Sequence, residues 1–306
     1  MNRQDVMANN LEGTANNVID ISADTSEFRR AIGTILVSAG HLNVADLDRV
    51  HRFAAEQRLR FGEAAVRLNL VSEDDVEVAL GQQFSYPILT RGGENGVASD
   101  LIAGYDPQST LVEPLRVLRS QLMLRWPNVA PRKVMVAVTS PDRGEGRSWL
   151  AANLATVFAQ AGERTLLIDA DMRHPSQHRL FNLDNRVGLS ALLTGRAAGR
   201  DVVQRIHPEL RLFVLPAGIL PPNPQELLVR PLFSELLERV SELYTVIVLD
   251  TPPATKAADA QVIAARAGAA LLLVRRNRTR AAALTATMDS LIETGVKVIG
   301  SVVTEH

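Results

Sequence analysis

A chain of 306 residues, 46% of them hydrophobic, is long enough for two domains and one substantial core. Its formal net charge of -1 gives no general attraction to nucleic acid or anionic lipid, and the absence of cysteine excludes a disulfide framework, a thiol nucleophile and a thiolate metal site. No apolar run approaches the roughly 20 residues that span a bilayer, and the opening MNRQDVMANNLEG lacks a signal-type apolar core. A cytoplasmic protein is expected, with any membrane association supplied by a partner.

In chain order, residues 1–25 read as a flexible N-terminus and 26–90 as a small helical module built from an internal repeat. From Gly33 and again from Gly62 the pattern runs glycine, an apolar residue, a small or polar turn residue (Gly40, Asn69), an apolar residue (Leu42, Val71), then an acid (Asp46, Asp75), at an offset of 29 residues. Each copy reads as a short helix, a turn and an amphipathic helix with acids near its start. The Gly-, Asp- and Asn-rich stretch TRGGENGVASDLIAGYDP reads as a linker, placed at 91–110.

The remainder, 111–306, alternates strand-like and helix-like segments. Val134 to Val138 is a short β-branched run suited to a strand buried on both faces, and Ser148 to Ala161 carries Leu150, Leu154, Val157 and Phe158 at helical spacing. Between them, Gly144 and Gly146 let backbone N–H groups turn toward an anion at the positive end of the helix. Arg143, Gly144, Glu145, Gly146, Arg147, Ser148 and Trp149 are the expected nucleotide-binding residues, with the Ser148 hydroxyl placed to meet Mg²⁺. Pro141 stands where the usual first glycine of a P-loop would be, and Arg147 where lysine would be. Two further buried-strand runs end in carboxylates, Thr165 to Asp171 in Asp169 and Asp171, and Thr245 to Pro253 in Asp250. Ligands of a parallel sheet gather at the carboxyl ends of its strands, so these acids should converge on the phosphate loop. Six strands are expected, near Val134–Val138, Thr165–Ile168, Leu210–Leu215, Val246–Leu249, Ala270–Val274 and Val298–Val303. The fold class is therefore α/β, a doubly wound, mainly parallel P-loop sheet with helices on both faces, preceded by the helical module.

GEGRS, LLIDADMRHP and VIVLDTPP are similar to the Walker A, Walker A′ and Walker B segments of the bacterial tyrosine kinases of capsule and exopolysaccharide synthesis. EPLRVLR, GLSALLTG, PPNPQELL and the Asp259-Ala260 pair also resemble that family. The resemblance implies an ATP- and Mg²⁺-dependent protein-tyrosine kinase that regulates exopolysaccharide chain length, polymerisation or export beside a membrane chain-length determinant, whose cytosolic tail is the implied partner. It implies catalytic roles for Asp169, Asp171, Arg147 and Asp250, a metal held by Ser148, Asp169 and Asp250, and a homo-oligomer contact through Glu113, Arg116 and Arg119. Residues Arg60 to Leu89 resemble the N-terminal domain of type II secretion and MshE-type ATPases, some of which bind cyclic di-GMP through a repeated Arg-apolar-Gly motif. Arg60-Phe61-Gly62 fits that motif, whereas Arg30-Ala31-Ile32-Gly33 has one residue too many.

Three departures from the kinase pattern stand out. Arginine at 147 is larger, planar and forked compared with lysine, so the exchange is not neutral at a phosphate site. The sequence has tyrosine only at Tyr86, Tyr105 and Tyr244, without the terminal cluster that family members phosphorylate on themselves, and Thr304 stands where related folds place an asparagine near adenine. Two other functions compete with the kinase: a nucleotide-gated assembly scaffold without phosphoryl transfer, and a ParA/MinD-type positioning ATPase. The run Arg275 to Arg280 reads as a solvated loop, or more sharply as a contact to nucleotide or a neighbouring subunit.

Overall fold

The computed structural model describes residues 31–83, 86–92, 96–125 and 133–305. The expected flexible N-terminus and Arg30 lie outside them. After residue 85 the chain divides into two compact units.

The first unit holds α1 (Ile32–Ser38), α2 (Val44–Gln57), α3 (Phe61–Arg67) and α4 (Glu73–Gln83). The repeat is real at the level of backbone bonds. Gly40 and Asn69 both adopt left-handed backbone, at φ 79° and φ 53°. His41 N–H bonds the Leu36 carbonyl at 3.0 Å as Leu70 N–H bonds that of Ala65 at 3.1 Å, so each short helix ends in the same turn. The glycines opening the copies are packing residues: a Cβ on Gly33 would come within 2.8 Å of Leu47, and one on Gly62 within 2.6 Å of Val76. Close helix approach thus accounts for both glycines, Gly62 of the Arg60-Phe61-Gly62 motif included, while Arg60 is exposed. Ser72 caps α4, accepting from Asp75 N–H at 3.1 Å and donating to its carboxylate at 2.7 Å, and His41 lies 3.0 Å from Asp75. Burial pushes the Asp75 carboxyl up, but the Ser72 donors and His41 together hold it below the usual range.

The second unit runs α5 (Ile102–Tyr105), α6 (Val112–Arg125), β1 (Val134–Thr139), α7 (Arg147–Gln160), β2 (Thr165–Asp169), α8 (Gln177–Leu180), α9 (Leu189–Leu193), α10 (Gly199–Val202), β3 (Gln204–Arg205), β4 (Leu212–Leu215), α11 (Pro224–Leu228), α12 (Pro231–Leu243), β5 (Val246–Asp250), α13 (Asp259–Ala267), β6 (Ala269–Arg275), α14 (Ala281–Glu293) and β7 (Lys297–Thr304). The strands form one sheet in the order β3-β4-β2-β5-β1-β6-β7, parallel except for the short β3 at one edge. All six expected strands are present, and β3 is an addition. Alternate residues of the central strands enter opposite cores. Val136, Leu167 and Val248 pack with α7, whereas Ala137, Ile168 and Leu249 pack with α12 and α13. Burial on both faces explains why these strands read as continuous apolar runs. No helix among the described residues is long and apolar enough to cross a membrane.

In the stretch expected to be a linker, the described residues from Val97 to Tyr105 are folded. Leu89, Val97, Leu101 and Ala103 are buried in the same core as α7. Asn153, fully buried in α7, holds them: its carboxamide oxygen accepts from Ala103 N–H at 2.9 Å, and its amide donates to the Asp100 carbonyl at 3.0 Å. A few apolar residues spaced through a Gly- and Asp-rich stretch suffice for docking, because one buried amide satisfies the backbone groups that docking removes from water.

Candidate active site

The order β2-β5-β1 places the ends of three strands side by side. In register, Asp250 neighbours Asp169 on one side and Val138 of β1 on the other. The loop after β1 then curls over these ends. Gly144 at φ 78° and Gly146 at φ 97° supply left-handed turns, and α7 begins immediately after Gly146. The concavity lies at the N-terminus of a 14-residue helix, an anion site by both geometry and dipole.

Side chains brace this loop from outside the concavity. Glu145 is fully buried, accepting from Asp142 N–H at 2.8 Å and from the Thr279 hydroxyl. Its carboxylate, expected among the nucleotide-binding groups, therefore points into the protein. Arg275 donates to the Gly144 carbonyl at 2.9 Å, and Arg278 reaches the Gly144 and Arg143 carbonyls at 3.4 Å. The basic run is thus partly a support for the phosphate loop rather than a fully solvated one. Thr304 reaches the Glu145 carbonyl at 3.4 Å, on the same side.

Arg147 is 7% exposed. Its Nε donates to the Thr251 carbonyl at 2.9 Å, and one terminal nitrogen donates to Ser140 Oγ at 2.5 Å and to the Asp142 carbonyl at 2.6 Å. A lysine has one nitrogen and could not hold β5's end and both ends of the loop's first turn in this way. Burial pulls the guanidinium pKa down, against the pull of Asp250 and Asp171.

The three strand-end carboxylates have separate places. Asp169 is fully buried; one oxygen accepts from Ser176 N–H and Gln177 N–H, both at 2.9 Å, and so starts α8. Asp250, also fully buried, accepts from Gln177 Nε2 at 2.7 Å and from the Ser148 hydroxyl. Oδ1 of each has no hydrogen-bond partner among the described residues. Burial, then the facing Asp250, pushes Asp169 well up, against the two N–H donors. Burial likewise pushes Asp250 up to about 6, with Ser148 and Gln177 opposing. Asp171, 4% exposed, lines the cleft and accepts from Arg173 N–H at 3.1 Å and His174 N–H at 2.9 Å.

The cleft has a volume of about 540 Å³. The loop glycines, Arg147, Ser148, Trp149 and Asp171 line it together with Ala98 and Asp100 of the folded segment before α6. Sequence reasoning missed Asp100, Thr251 and Gln177. Gln177 carried no local signal at all, since its role depends on Asp250 arriving from another strand. Glu113, Arg116 and Arg119 make bonds within their own unit: Arg116 meets Glu113 at 3.1 Å and the Pro107 carbonyl at 2.8 Å, and Arg119 meets the Val157 carbonyl at 3.1 Å.

A glycine loop opening a buried helix, beside paired strand-end carboxylates of a parallel sheet, defines a P-loop nucleotide-binding protein. Accordingly, residues 136–306 match the CobQ/CobB/MinD/ParA nucleotide binding domain. The chain is 36% identical over 203 residues to tyrosine-protein kinase YwqD of Bacillus subtilis, an alignment covering 66% of this chain and 84% of that one. It is 32% identical over 197 residues to tyrosine-protein kinase etk of Escherichia coli K12, covering 64% of this chain and 27% of that one. The solved kinase domain of Escherichia coli tyrosine kinase ETK is similar with a TM-score of 0.64 at 30% identity, over 70% of this chain and 82% of that one. The chain belongs to the P-loop, ATP-dependent protein-tyrosine kinase family.

Proposed function

We propose that the cleft binds ATP with Mg²⁺ and that the chain transfers the γ-phosphoryl group to a tyrosine hydroxyl, acting in exopolysaccharide export or chain-length control beside a membrane chain-length determinant. The observation that carries this reading is the pair Asp169 and Asp250, buried side by side at the strand ends below the phosphate loop, with one oxygen each that has no partner among the described residues. Two facing buried carboxylates repel each other when ionised, and a bound cation would relieve that repulsion. Among the described residues no three acidic or histidine side chains converge to hold a metal alone. That suits Mg²⁺, which takes one or two carboxylates and completes its shell with water and phosphate oxygens. When bound, Mg²⁺ would neutralise the charge of the β- and γ-phosphates.

The residues then divide the work. N–H groups of Gly144, Gly146 and Arg147 would receive phosphate oxygens, with the Ser148 hydroxyl and Asp250 toward the metal. Asp171, facing the cleft, would take the proton of the attacking tyrosine hydroxyl. Arg147 holds the loop's shape and lends it positive charge. Its three bonds into the protein also favour a second reading, a nucleotide-gated scaffold in which the loop binds ATP without transferring phosphate.

Incubation with labelled ATP and the cytosolic tail of the membrane partner separates the two. Label on tyrosine that disappears in Asp171→Asn supports transfer; intact ATP binding with no label on any tyrosine leaves only the scaffold.

A further inference from the structure

Beside the nucleotide cleft lies a second one of about 440 Å³, and Arg143, His174 and Arg179 line both. Among the described residues no carboxylate lines it. Arg173 is neutralised by a two-pronged bond to Asp259, at 2.7 and 3.1 Å, but among the described residues Arg143 and Arg179 have no acidic partner. His178, also in the lining, has a buried Nδ1 without a hydrogen-bond partner among the described residues.

The far lip is apolar and stiff. Ile219 is 71% exposed and Leu220 55% exposed. They do not fold back into the core because Gly218 before them is clasped: its N–H donates to Asn185 Oδ1 at 2.8 Å, and its carbonyl accepts from Asn185 Nδ2 at 3.4 Å. Gly218 sits at φ 80°, and a Cβ there would lie 2.8 Å from Gly188 N. A clasped turn thus holds two large aliphatic side chains in water in the same cleft as two guanidinium groups that have no acidic partner among the described residues.

From this juxtaposition we propose that the second cleft docks the acceptor polypeptide and selects tyrosines flanked by acidic residues. Arg143 and Arg179 pair with the flanking carboxylates, Ile219 and Leu220 cover the apolar part of the segment, and the tyrosine points across the shared wall toward Asp171. The proposal rests on the kinase reading for its substrate, not for its binding surface. Charge complementarity identifies the occupant: unpaired arginines match carboxylates in forked geometry, and an apolar lip suits a peptide with an aromatic ring.

The test uses the full chain with Mg²⁺-ATP and two random copolymers of equal tyrosine content, Glu/Tyr and Lys/Tyr. Binding of each labelled copolymer is measured separately from phosphoryl transfer. Wild type should bind Glu/Tyr and prefer it in kcat/KM by about tenfold or more, one unpaired charge contact being worth on the order of that factor. Arg179→Glu should reverse the preference; the ratio of the two kcat/KM values cancels any common effect on ATP. Ile219→Ser should raise KM for Glu/Tyr without changing KM for ATP. Transfer without preference, or a preference unmoved by Arg179→Glu, overturns the docking site and leaves the kinase reading standing. Selective Glu/Tyr binding without transfer overturns the kinase reading and leaves the docking site. Neither binding nor transfer overturns both, and equal binding of a polyuronate overturns a polypeptide as the occupant.

Discussion

Asp250 illustrates how a site can work against the stability of its own fold. With its pKa near 6 in the folded chain and near 3.8 unfolded, it binds more protons when folded across that interval, so its contribution to stability falls as pH rises from about 4 to about 6. Asp250→Asn should therefore raise the thermal midpoint of the nucleotide-free protein at pH 7 and flatten its pH profile over that window, while weakening Mg²⁺-nucleotide binding. Calorimetric scans at several pH values, with and without nucleotide, check both. Arg147→Lys should lower stability by about 1–3 kcal/mol, because the carbonyls of Thr251 and Asp142 lose their donors. Denaturant titration reads that loss, and retained ATP binding would show that positive charge, rather than the fork, serves the nucleotide.

At the scale of elements, α7 organises the unit through one polar residue. Asn153→Ala leaves the buried Ala103 N–H without its partner and removes the donor to the Asp100 carbonyl, at a cost of about 1–3 kcal/mol, and hydrogen exchange should lose protection first at Ala103. In the helical module, Gly62→Ala should cost about 1–3 kcal/mol, since the new methyl would meet Val76 and the helices must part. Urea unfolding of the chain followed by a probe in the module measures it. The positions of strands and of the phosphate loop were legible in the sequence because apolar continuity and glycine placement are local properties. The linker reading failed at 96–106 for the complementary reason. Its buried residues are few, and what ties them down, Asn153, lies some 50 positions further along the chain.

For the molecule as a whole, the division after residue 85, which puts the expected linker 91–110 within the second unit, has a direct consequence. A fragment starting at Tyr86 should fold cooperatively, whereas one starting at Leu111 loses Leu89, Val97 and Leu101 from the core and one wall of the cleft, and should be markedly less stable and bind ATP poorly. Thermal scans of the two fragments with and without Mg²⁺-ATP separate these outcomes.

By itself the sequence determined the fold class, the repeat of the module, the phosphate loop with its arginine, and the carboxylates that belong with it, since each depends on short-range pattern. Only the tertiary structure decided how those groups share the site. Because β5 enters between β1 and β2, Asp250 is set against Asp169 below the loop, and of the three strand-end carboxylates it is Asp171 that lines the cleft. The same packing turns Arg147 and Glu145 inward as braces and brings in Gln177 and Asp100 from segments with no signature of their own. Strand order and burial are properties of the assembled sheet, and no window of sequence contains them.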